Sequence, residues 1–220
     1  LFCHSVKEER LLAIAPVLQT ERLLLRPFEE RDLQAIFQIY SDRETNRFLP
    51  WFPASCLEEA RDIFVQRYRE PSGWRYALCL REENIPIGYA HIGGEAPWDL
   101  GYGLRREFWG RGLAAEAAQA AADQARREGL PYLTATHDVE NPRSGGVMRK
   151  LGMIYRYSYQ EFWQPKNKTV IFRLYQLNFR CSEDWTWRGY WESSPWAFVE
   201  QGLGRASERS RLAGAERRIL

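Results

Sequence analysis

Alternating apolar and polar positions predict most of the strands in this chain. Residues 74–80 (WRYALCL) and 85–92 (IPIGYAHI) alternate on either side of a polar turn, which is typical of neighbouring antiparallel strands. Residues 20–28 (TERLLLRPF) predict an earlier strand that ends at Pro27, since proline cannot donate to a sheet ladder. Further strands are predicted at 100–104, 132–136, 153–159 and 170–177.

Helical spacing predicts four helices. The longest begins near Leu113, where alanines recur on one face and charged or amide side chains on the other. Acidic residues open a helix over 29–40, and another covers 57–69. Asn141 as N-cap, with Pro142 at the first helical position, starts the fourth. The element order β, α, α, β, β, β, α, β, α, β, β predicts an antiparallel sheet that becomes mixed where a helix crosses over.

Composition is that of a single globular domain with a substantial core. The chain has 220 residues, of which 45% are hydrophobic and 27% charged, and its net charge of +2 is a small difference between 31 basic and 29 acidic residues. That balance gives no argument for nucleic acid or an anionic membrane as a partner. The four cysteines lack metal-binding spacing, and no apolar run approaches the ~20 residues of a membrane span. We therefore expect a cytoplasmic protein without a metal site.

The turn before the longest helix has the chemistry of an anion site. A helix start exposes several N–H groups without partners in the helix, at the positive end of the macrodipole. Gly110 and Gly112 lack a Cβ there, so an anion can come close to these groups. Neither a Walker P-loop nor the dinucleotide fingerprint G-x-G-x-x-G occurs at this turn. The stretch favours a bound pyrophosphate, with an ordinary glycine-rich turn as the alternative.

The segment WGRGLA, residues 109–114, resembles the coenzyme A loop Q/R-x-x-G-x-G/A of the GNAT acetyltransferase superfamily. Trp109 departs from the Gln or Arg of that pattern. However, FWGRGLAAEA, the opening TERLLLRPF and the segment SYQEFWQPKN resemble the RimJ/RimL-like branch, which acetylates ribosomal-protein N-termini. The segment HDVENPRSGGVMRKLGM is similar to the second signature of the superfamily, its N-x-x-S helix. The likeness covers roughly Leu18 to Phe179.

The resemblance implies an α+β (α/β) GNAT fold with a mixed, mostly antiparallel central sheet flanked by about four helices. Its domain would span residues 18–180, after a lead-in of residues 1–17. Residues 181–220 form a Trp-rich C-terminal extension with an expected disordered tail. The crowded aromatic residues of this extension are interpreted either as a clasp on the sheet or as a flap over the acceptor site.

The resemblance also implies which residues bind acetyl-CoA. Backbone N–H groups across 111–115 would anchor the pyrophosphate. The strand end at Leu104 would pair with the pantetheine arm and donate an N–H to the acetyl oxygen. Asn141 would bond the pantetheine, while Ser144 would donate to the leaving thiolate or hold a water. The residues expected at the cofactor are Leu104, Arg105, Arg111, Gly112, Leu113, Ala114, Ala115, Asn141 and Ser144.

Catalytic and acceptor residues follow from the same resemblance. The residues expected in catalysis are Leu104, Ser144 and, as the base that deprotonates the amine, Glu161. The alternative bases are His91, His137 and Glu95. An aromatic loop with Phe48, Trp51 and Phe52 would form one wall of the acceptor cleft, and Glu95 is a further candidate for substrate contact. For each of these residues a purely structural role is the competing interpretation.

The expected function is acetyl-CoA-dependent N-acetylation of a primary amine by direct transfer in a ternary complex. The acceptor is a protein N-terminal α-amine or a small-molecule amine. The alternative is a GNAT-fold module that binds an acyl-CoA but is catalytically weak. A nucleotide-phosphate protein is disfavoured because the motif lacks the Lys and Mg²⁺ ligands of a P-loop. We expect a monomer or homodimer, with neither nucleic acid nor membrane as a partner.

Overall fold

The computed structural model describes residues 15–203 and 216–218 of the chain. Within these ranges the elements follow the predicted order, with a short strand added before it and a helix–strand extension after it. The strands are β1 (Leu18–Gln19), β2 (Leu23–Arg26), β3 (Trp74–Leu80), β4 (Pro86–Ile92), β5 (Leu100–Leu104), β6 (Tyr132–Asp138), β7 (Ile154–Trp163), β8 (Lys168–Asn178), β9 (Trp196–Phe198) and β10 (Glu216–Arg218). The α-helices are α1 (Leu33–Ser41), α2 (Leu57–Phe64), α3 (Leu113–Arg127), α4 (Pro142–Lys150) and α5 (Gly189–Ser193).

The described strands form two five-stranded antiparallel sheets. The first has the order β1-β2-β3-β4-β5, and the second has the order β10-β9-β7-β8-β6. The sheets meet at a parallel bridge between Asp99, just before β5, and Thr134 of β6. Beyond that bridge β5 and β6 run in the same direction without pairing, so a gap opens between their C-terminal ends. The expected α+β fold is confirmed, although its sheet is divided where the sequence predicts a continuous mixed one.

The two faces of the first sheet pack against different helices. Helix α3 covers one face with alanines, and Ala117, Ala121 and Ala125 are fully buried beside side chains of β3 and β5. Because alanine is small, the helix can lie close to the strands and pack tightly on them. Helices α1 and α2 cover the opposite face, where Ile36 packs in one cluster with Ala77 of β3. We call this second face the α1–α2 face.

Helix α4 begins as predicted and lies close to β6. The Asn141 Oδ1 accepts a hydrogen bond from the Ser144 N–H at 3.4 Å. Gly145 is buried, and a Cβ at this position would come within 2.5 Å of the His137 Nε2. The His137 ring is itself buried, with its Nδ1 2.8 Å from the Asp138 carbonyl oxygen, so it is not free to move aside. Glycine is therefore required here for packing.

The C-terminal extension packs on the second sheet. Strand β9 pairs with β7 and places Ala197 opposite Tyr159. Trp187, Tyr190 and Trp191 pack against the aromatic cluster formed by β7 and β8. The Tyr190 ring stacks on that of Tyr159, with 4.7 Å between ring centroids. The extension thus continues the second sheet and adds to its core.

The two ends of the chain are described only in part. Residues 1–14 of the predicted lead-in lie outside the described residues, as do residues 204–215 and 219–220 of the predicted tail. Strand β10 pairs antiparallel with β9. The disordered tail stays a prediction. The division of the chain at residue 180 stays a prediction.

Alanine substitutions at the two neighbouring glycines of α4 should have opposite effects on stability. We expect Gly145→Ala to lower the free energy of unfolding by about 1–3 kcal/mol, since the new methyl group overlaps the His137 ring. Gly146→Ala should raise the free energy of unfolding by up to about 1 kcal/mol, since only the Arg149 guanidinium lies near, at 3.9 Å. Urea unfolding measures both. Equal effects would contradict the packing described.

Candidate active site

The turn that begins α3 is open to an anion. Gly110 and Gly112 have φ angles of 74° and 79°, which favour glycine. A Cβ at Gly110 would meet nothing within 4 Å, and one at Gly112 would meet only the Arg22 Nη2 at 3.6 Å. The first N–H to bond back into the helix is that of Glu116, to the Gly112 carbonyl at 3.1 Å. The preceding amides of residues 113–115 therefore have no partner within the helix and can bind a phosphate.

The side chain of Arg22, the residue before β2, binds this turn. Its Nη1 donates to the Arg111 carbonyl at 2.9 Å, and its Nη2 lies 2.6 Å from the Glu116 Oε2. The Thr20 hydroxyl also donates to Glu116, at 2.6 Å. Burial acts to raise the pKa of Glu116, but the hydrogen bonds from Thr20 and Arg22 outweigh it and lower that pKa. The carboxylate in the first turn of α3 is thus paired with a guanidinium group that also lies beside Gly112.

Trp109, which departs from the family pattern, fastens the turn to the end of β5. Its Nε1 donates to the Leu104 carbonyl at 2.7 Å. On the other side, the Arg143 guanidinium carbon of α4 lies 5.6 Å from the centroid of its ring. The indole therefore connects the strand end, the turn and the start of α4. A Gln or Arg would not present the same flat ring between these elements.

The backbone of β5 directs alternate groups into the gap beside β6. The Arg105 N–H donates to the Ile87 carbonyl at 2.9 Å, and the Gly93 N–H donates to the Asp99 carbonyl at 3.1 Å. In an antiparallel pair such bonds occur at every second residue. The N–H groups of Tyr102 and Leu104 therefore point away from β4. The N–H of Arg105 is already used, so any cofactor contact of Arg105 falls to its side chain, which forms an ion pair with Glu107.

Tyr102 reaches across the gap to the start of α4. Its hydroxyl donates to the Ser144 carbonyl at 2.8 Å and lies 3.2 Å from the Ser144 Oγ. Burial raises the pKa of Tyr102, so its hydroxyl remains protonated at neutral pH. The structure brings Ser144 and the end of β5 together. The Asn141 side-chain oxygen is taken up by the helix cap.

On the α1–α2 face, the two glycines of β5 make room for two aromatic rings. A Cβ at Gly101 would overlap the His91 ring, and one at Gly103 would overlap the Tyr89 ring. His91 and Tyr89 stack with 6.2 Å between centroids. Burial, reinforced by nearby guanidinium groups, lowers the pKa of His91 to about 3. His91 is therefore neutral and a poor base, while His137, whose pKa is also lowered by burial, packs against Gly145 instead.

Two carboxyl groups lie near the junction of the sheets. The Thr134 hydroxyl donates to the Asp99 Oδ1 at 3.1 Å, and burial raises the pKa of Asp99 to about 7. Glu161 of β7 is close enough to act on Asp99, and burial raises its pKa as well. Burial, together with the negative charges of Asp99 and Glu161, raises the pKa of Tyr190 of α5. Glu95 is exposed on the turn before β5, apart from this cluster.

The predicted acceptor loop packs on the α1–α2 face. Trp51 packs against the α1–α2 core, with the Arg67 guanidinium carbon 3.7 Å from its ring centroid. Phe48 lies beneath the Arg47 guanidinium, whose carbon is 5.2 Å from the ring centroid. The Lys166 Nζ, in the turn between β7 and β8, donates to the carbonyls of Asn46 and Arg47 at 3.1 and 3.2 Å. The loop is thereby connected to the second sheet.

Sequence reasoning missed four residues that the structure places beside this site. Arg22 lies about ninety residues before the turn that it braces, so no local pattern connects them. Tyr102 alternates with Leu100 and Leu104 like any core residue. Asp99 is distinguished only by its burial at the sheet junction. Tyr190 belongs to the extension, where the only signal is its aromatic composition.

Two kinds of site are not found in the described part of the chain. Among residues 15–203 and 216–218, His, Cys, Asp and Glu side chains form no group of three or more that could hold a metal ion. Over the same residues no helix is both long enough and apolar enough to cross a membrane.

Comparison with known proteins indicates the family of the chain. A sequence model of the acetyltransferase (GNAT) domain matches residues 22–154, more than half of the chain. The uncharacterized N-acetyltransferase YnaD of Bacillus subtilis is 32% identical over 141 residues, covering 62% of this chain and 81% of that protein. The ribosomal protein uS5-alanine N-acetyltransferase of Escherichia coli is 25% identical over 187 residues, covering 77% of this chain and 92% of that protein.

A solved structure shares the fold. RimL, a ribosomal L7/L12 α-N-protein acetyltransferase in complex with coenzyme A, has a TM-score of 0.62 and 18% identity, covering 75% of this chain and 99% of that one. The expected resemblance to RimJ/RimL-like proteins is thus confirmed.

Removing the Arg22 contacts with the turn before α3 should weaken coenzyme A binding. We expect Arg22→Gln to raise the dissociation constant about threefold to tenfold, because it leaves the Glu116 carboxylate unpaired near the phosphates. Adding Glu116→Gln should restore part of the affinity by removing that charge. Calorimetric titration measures each. Arg81→Gln is the control, since exposed Arg81 donates to the Thr20 carbonyl but does not contact the turn. An equal loss of affinity in Arg81→Gln would contradict a specific role of Arg22.

Proposed function

This chain belongs to the GNAT acetyltransferase family, and we propose that it transfers an acetyl group from acetyl-CoA to a primary amine within a ternary complex. One observation supports this proposal most strongly. Strand β5, whose outer edge is unpaired, leads directly into the open first turn of α3. These two features lie on one continuous stretch, residues 100–115. A diphosphate fits the turn, and an extended arm that contains amides fits the edge of β5.

The residues present fit acetyl-CoA. The amides of residues 113–115 would hold the diphosphate, with Arg22 nearby as a counter-charge. When bound, acetyl-CoA supplies an acyl group activated as a thioester. The outward N–H groups of Tyr102 and Leu104 can donate to an oxygen that gains negative charge in the gap, and such preorganised donors contribute a few kcal/mol to a transition state.

Proton transfer falls to groups on either side of the gap. Asp99 is our candidate base, because its pKa of about 7 suits proton removal near neutral pH. Glu161, the base expected from the resemblance, is the alternative in the same cluster. The Ser144 hydroxyl, which the Tyr102 hydroxyl positions from 3.2 Å, carries a proton that can be donated to the leaving sulfur. A cytoplasmic location and a monomeric or homodimeric state complete the proposal.

Filling the space at Gly112 should weaken the use of acetyl-CoA. We expect Gly112→Ala to lower kcat/KM for acetyl-CoA at least about tenfold, because the methyl group stands where the phosphate must approach the amides. Gly152→Ala is a matched control, since Gly152 has a similar φ of 75° and open surroundings at the end of α4. Thiol release with a panel of amines measures activity. Wild-type protein that binds acetyl-CoA but releases no thiol above background would instead be a binding module.

The pH dependence should identify the base. If Asp99 accepts the proton, kcat/KM rises with pH and levels off above about 7, because the carboxyl must be ionised to act. Asp99→Asn should lose about a hundredfold in rate together with the inflection near pH 7. Glu161→Gln should keep the inflection. An Asp99→Asn enzyme that retains it would exclude Asp99 as the base.

A further inference from the structure

Two arginines on the α1–α2 face lack an acidic partner. Arg75 of β3 is partly buried, and its Nη1 reaches only the carbonyls of Trp74 and Ile92, both at 3.3 Å. Arg67 follows α2 and lies over the Trp51 ring. Among the described residues, no carboxylate lies within ion-pair distance of either guanidinium. We call Arg67 and Arg75 the guanidinium pair.

Among residues 15–203, the groups around the guanidinium pair are uncharged. Both arginines act on neighbouring His91, which is neutral. The Tyr40 and Tyr68 hydroxyls lie 2.5 Å apart close by, and burial raises the pKa of each, so they are uncharged too. The groups around the pair are therefore neutral hydrogen-bonding or aromatic side chains. The positive charge of the guanidinium pair is therefore not balanced by any of these neighbours.

Two other shielded arginines, Arg26 and Arg173, are paired with acids. Arg26 binds Asp32 at 2.7 Å, and Arg173 binds Glu200 at 2.6 Å. Partly desolvated guanidinium groups are stabilised when a carboxylate supplies fixed hydrogen bonds. The guanidinium pair departs from this pattern on the same face as the predicted acceptor loop. A carboxylate brought by a bound molecule would complete it.

The distance from the guanidinium pair to the reacting end suits a small molecule. Arg75, His91 and Gly101 lie opposite one another across β3, β4 and β5. Since neighbouring strands are about 4.8 Å apart, the Cα of Arg75 lies about 10 Å from that of Gly101, a span that the arginine side chain partly bridges. Asp99 is two residues before Gly101 and near enough to Glu161 for the two carboxyl groups to interact electrostatically. We call Asp99 and Glu161 the acidic corner.

We infer that the acceptor is an amine that carries a carboxylate next to its amino group, of the α-amino acid class, with that carboxylate bound by Arg67 and Arg75. This inference rests on the proposed acetyl transfer. The acidic corner attracts the ammonium group, and the guanidinium pair attracts the carboxylate. A polyamine would bring a second cation toward the pair, and a protein N-terminus has no carboxylate beside its amine. The arrangement of charge therefore favours a free amino acid.

Matched acceptors test the inference directly. The full-length protein with acetyl-CoA is assayed for thiol release against the L-amino acids, their carboxamides, the corresponding decarboxylated amines, spermidine and a short peptide that begins with alanine. We expect at least one amino acid to exceed its own carboxamide in kcat/KM by about 30-fold or more, the loss typical of removing one partner of a shielded charge pair. Acetylation of carboxamides, polyamine or peptide at equal or higher efficiency would overturn the inference but leave the proposed transfer intact.

Variants of the guanidinium pair supply a second test of the inference. Arg75→Gln and Arg67→Gln should each raise KM for the preferred amino acid about tenfold or more, with KM for acetyl-CoA unchanged and the rate on its carboxamide unaffected. Arg69→Gln is the control, because Arg69 is exposed two residues from Arg67 in the same helical turn. Equal KM values for Arg67→Gln and Arg69→Gln would contradict the inference. Failure of the wild-type protein to bind acetyl-CoA would instead refute the proposed function itself.

Discussion

The structure depends on the separation of β5 from β6 beyond a single bridge. At Asp99 and Thr134 the two sheets touch, and from there the outer edge of β5 has no strand beside it. Unpaired backbone groups are costly to leave without partners, so an edge of this kind is a place where an extended molecule can add itself as a strand. The same chain then turns into α3, whose first amides are also free. One stretch of backbone thus offers hydrogen bonds to an arm and to its diphosphate.

The rest of the chain keeps that stretch in place. Trp109 fastens the turn to the Leu104 carbonyl, Arg22 fastens it to the first sheet, and Tyr102 spans the gap to α4. Alanines let α3 lie close to the sheet, while Gly145 lets α4 lie close to β6. These contacts are short and directional, so the open amides need little reorganisation when an anion binds, which is the condition for effective electrostatic stabilisation.

Much of this was predictable from sequence because it is local. Strand alternation, alanine periodicity and the Asn141–Pro142 start gave the correct element order. The glycines at 110 and 112 indicated an open turn, which we propose as the anion site. The division of the sheet was not predictable, since pairing between β5 and β6 depends on contacts between distant segments. The same holds for Asp99, whose high pKa comes from burial, and for Arg22 and Tyr190, which arrive from remote parts of the chain.

The central claim is that main-chain groups of residues 102–115 hold the cofactor. A crystal structure of the protein with coenzyme A tests it most directly. The account predicts diphosphate oxygens within hydrogen-bond distance of the amide nitrogens of residues 113–115, and a pantetheine arm paired with the backbone of Tyr102 and Leu104 along the gap. A diphosphate bound mainly by side chains elsewhere, with the β5 edge unoccupied, would contradict it.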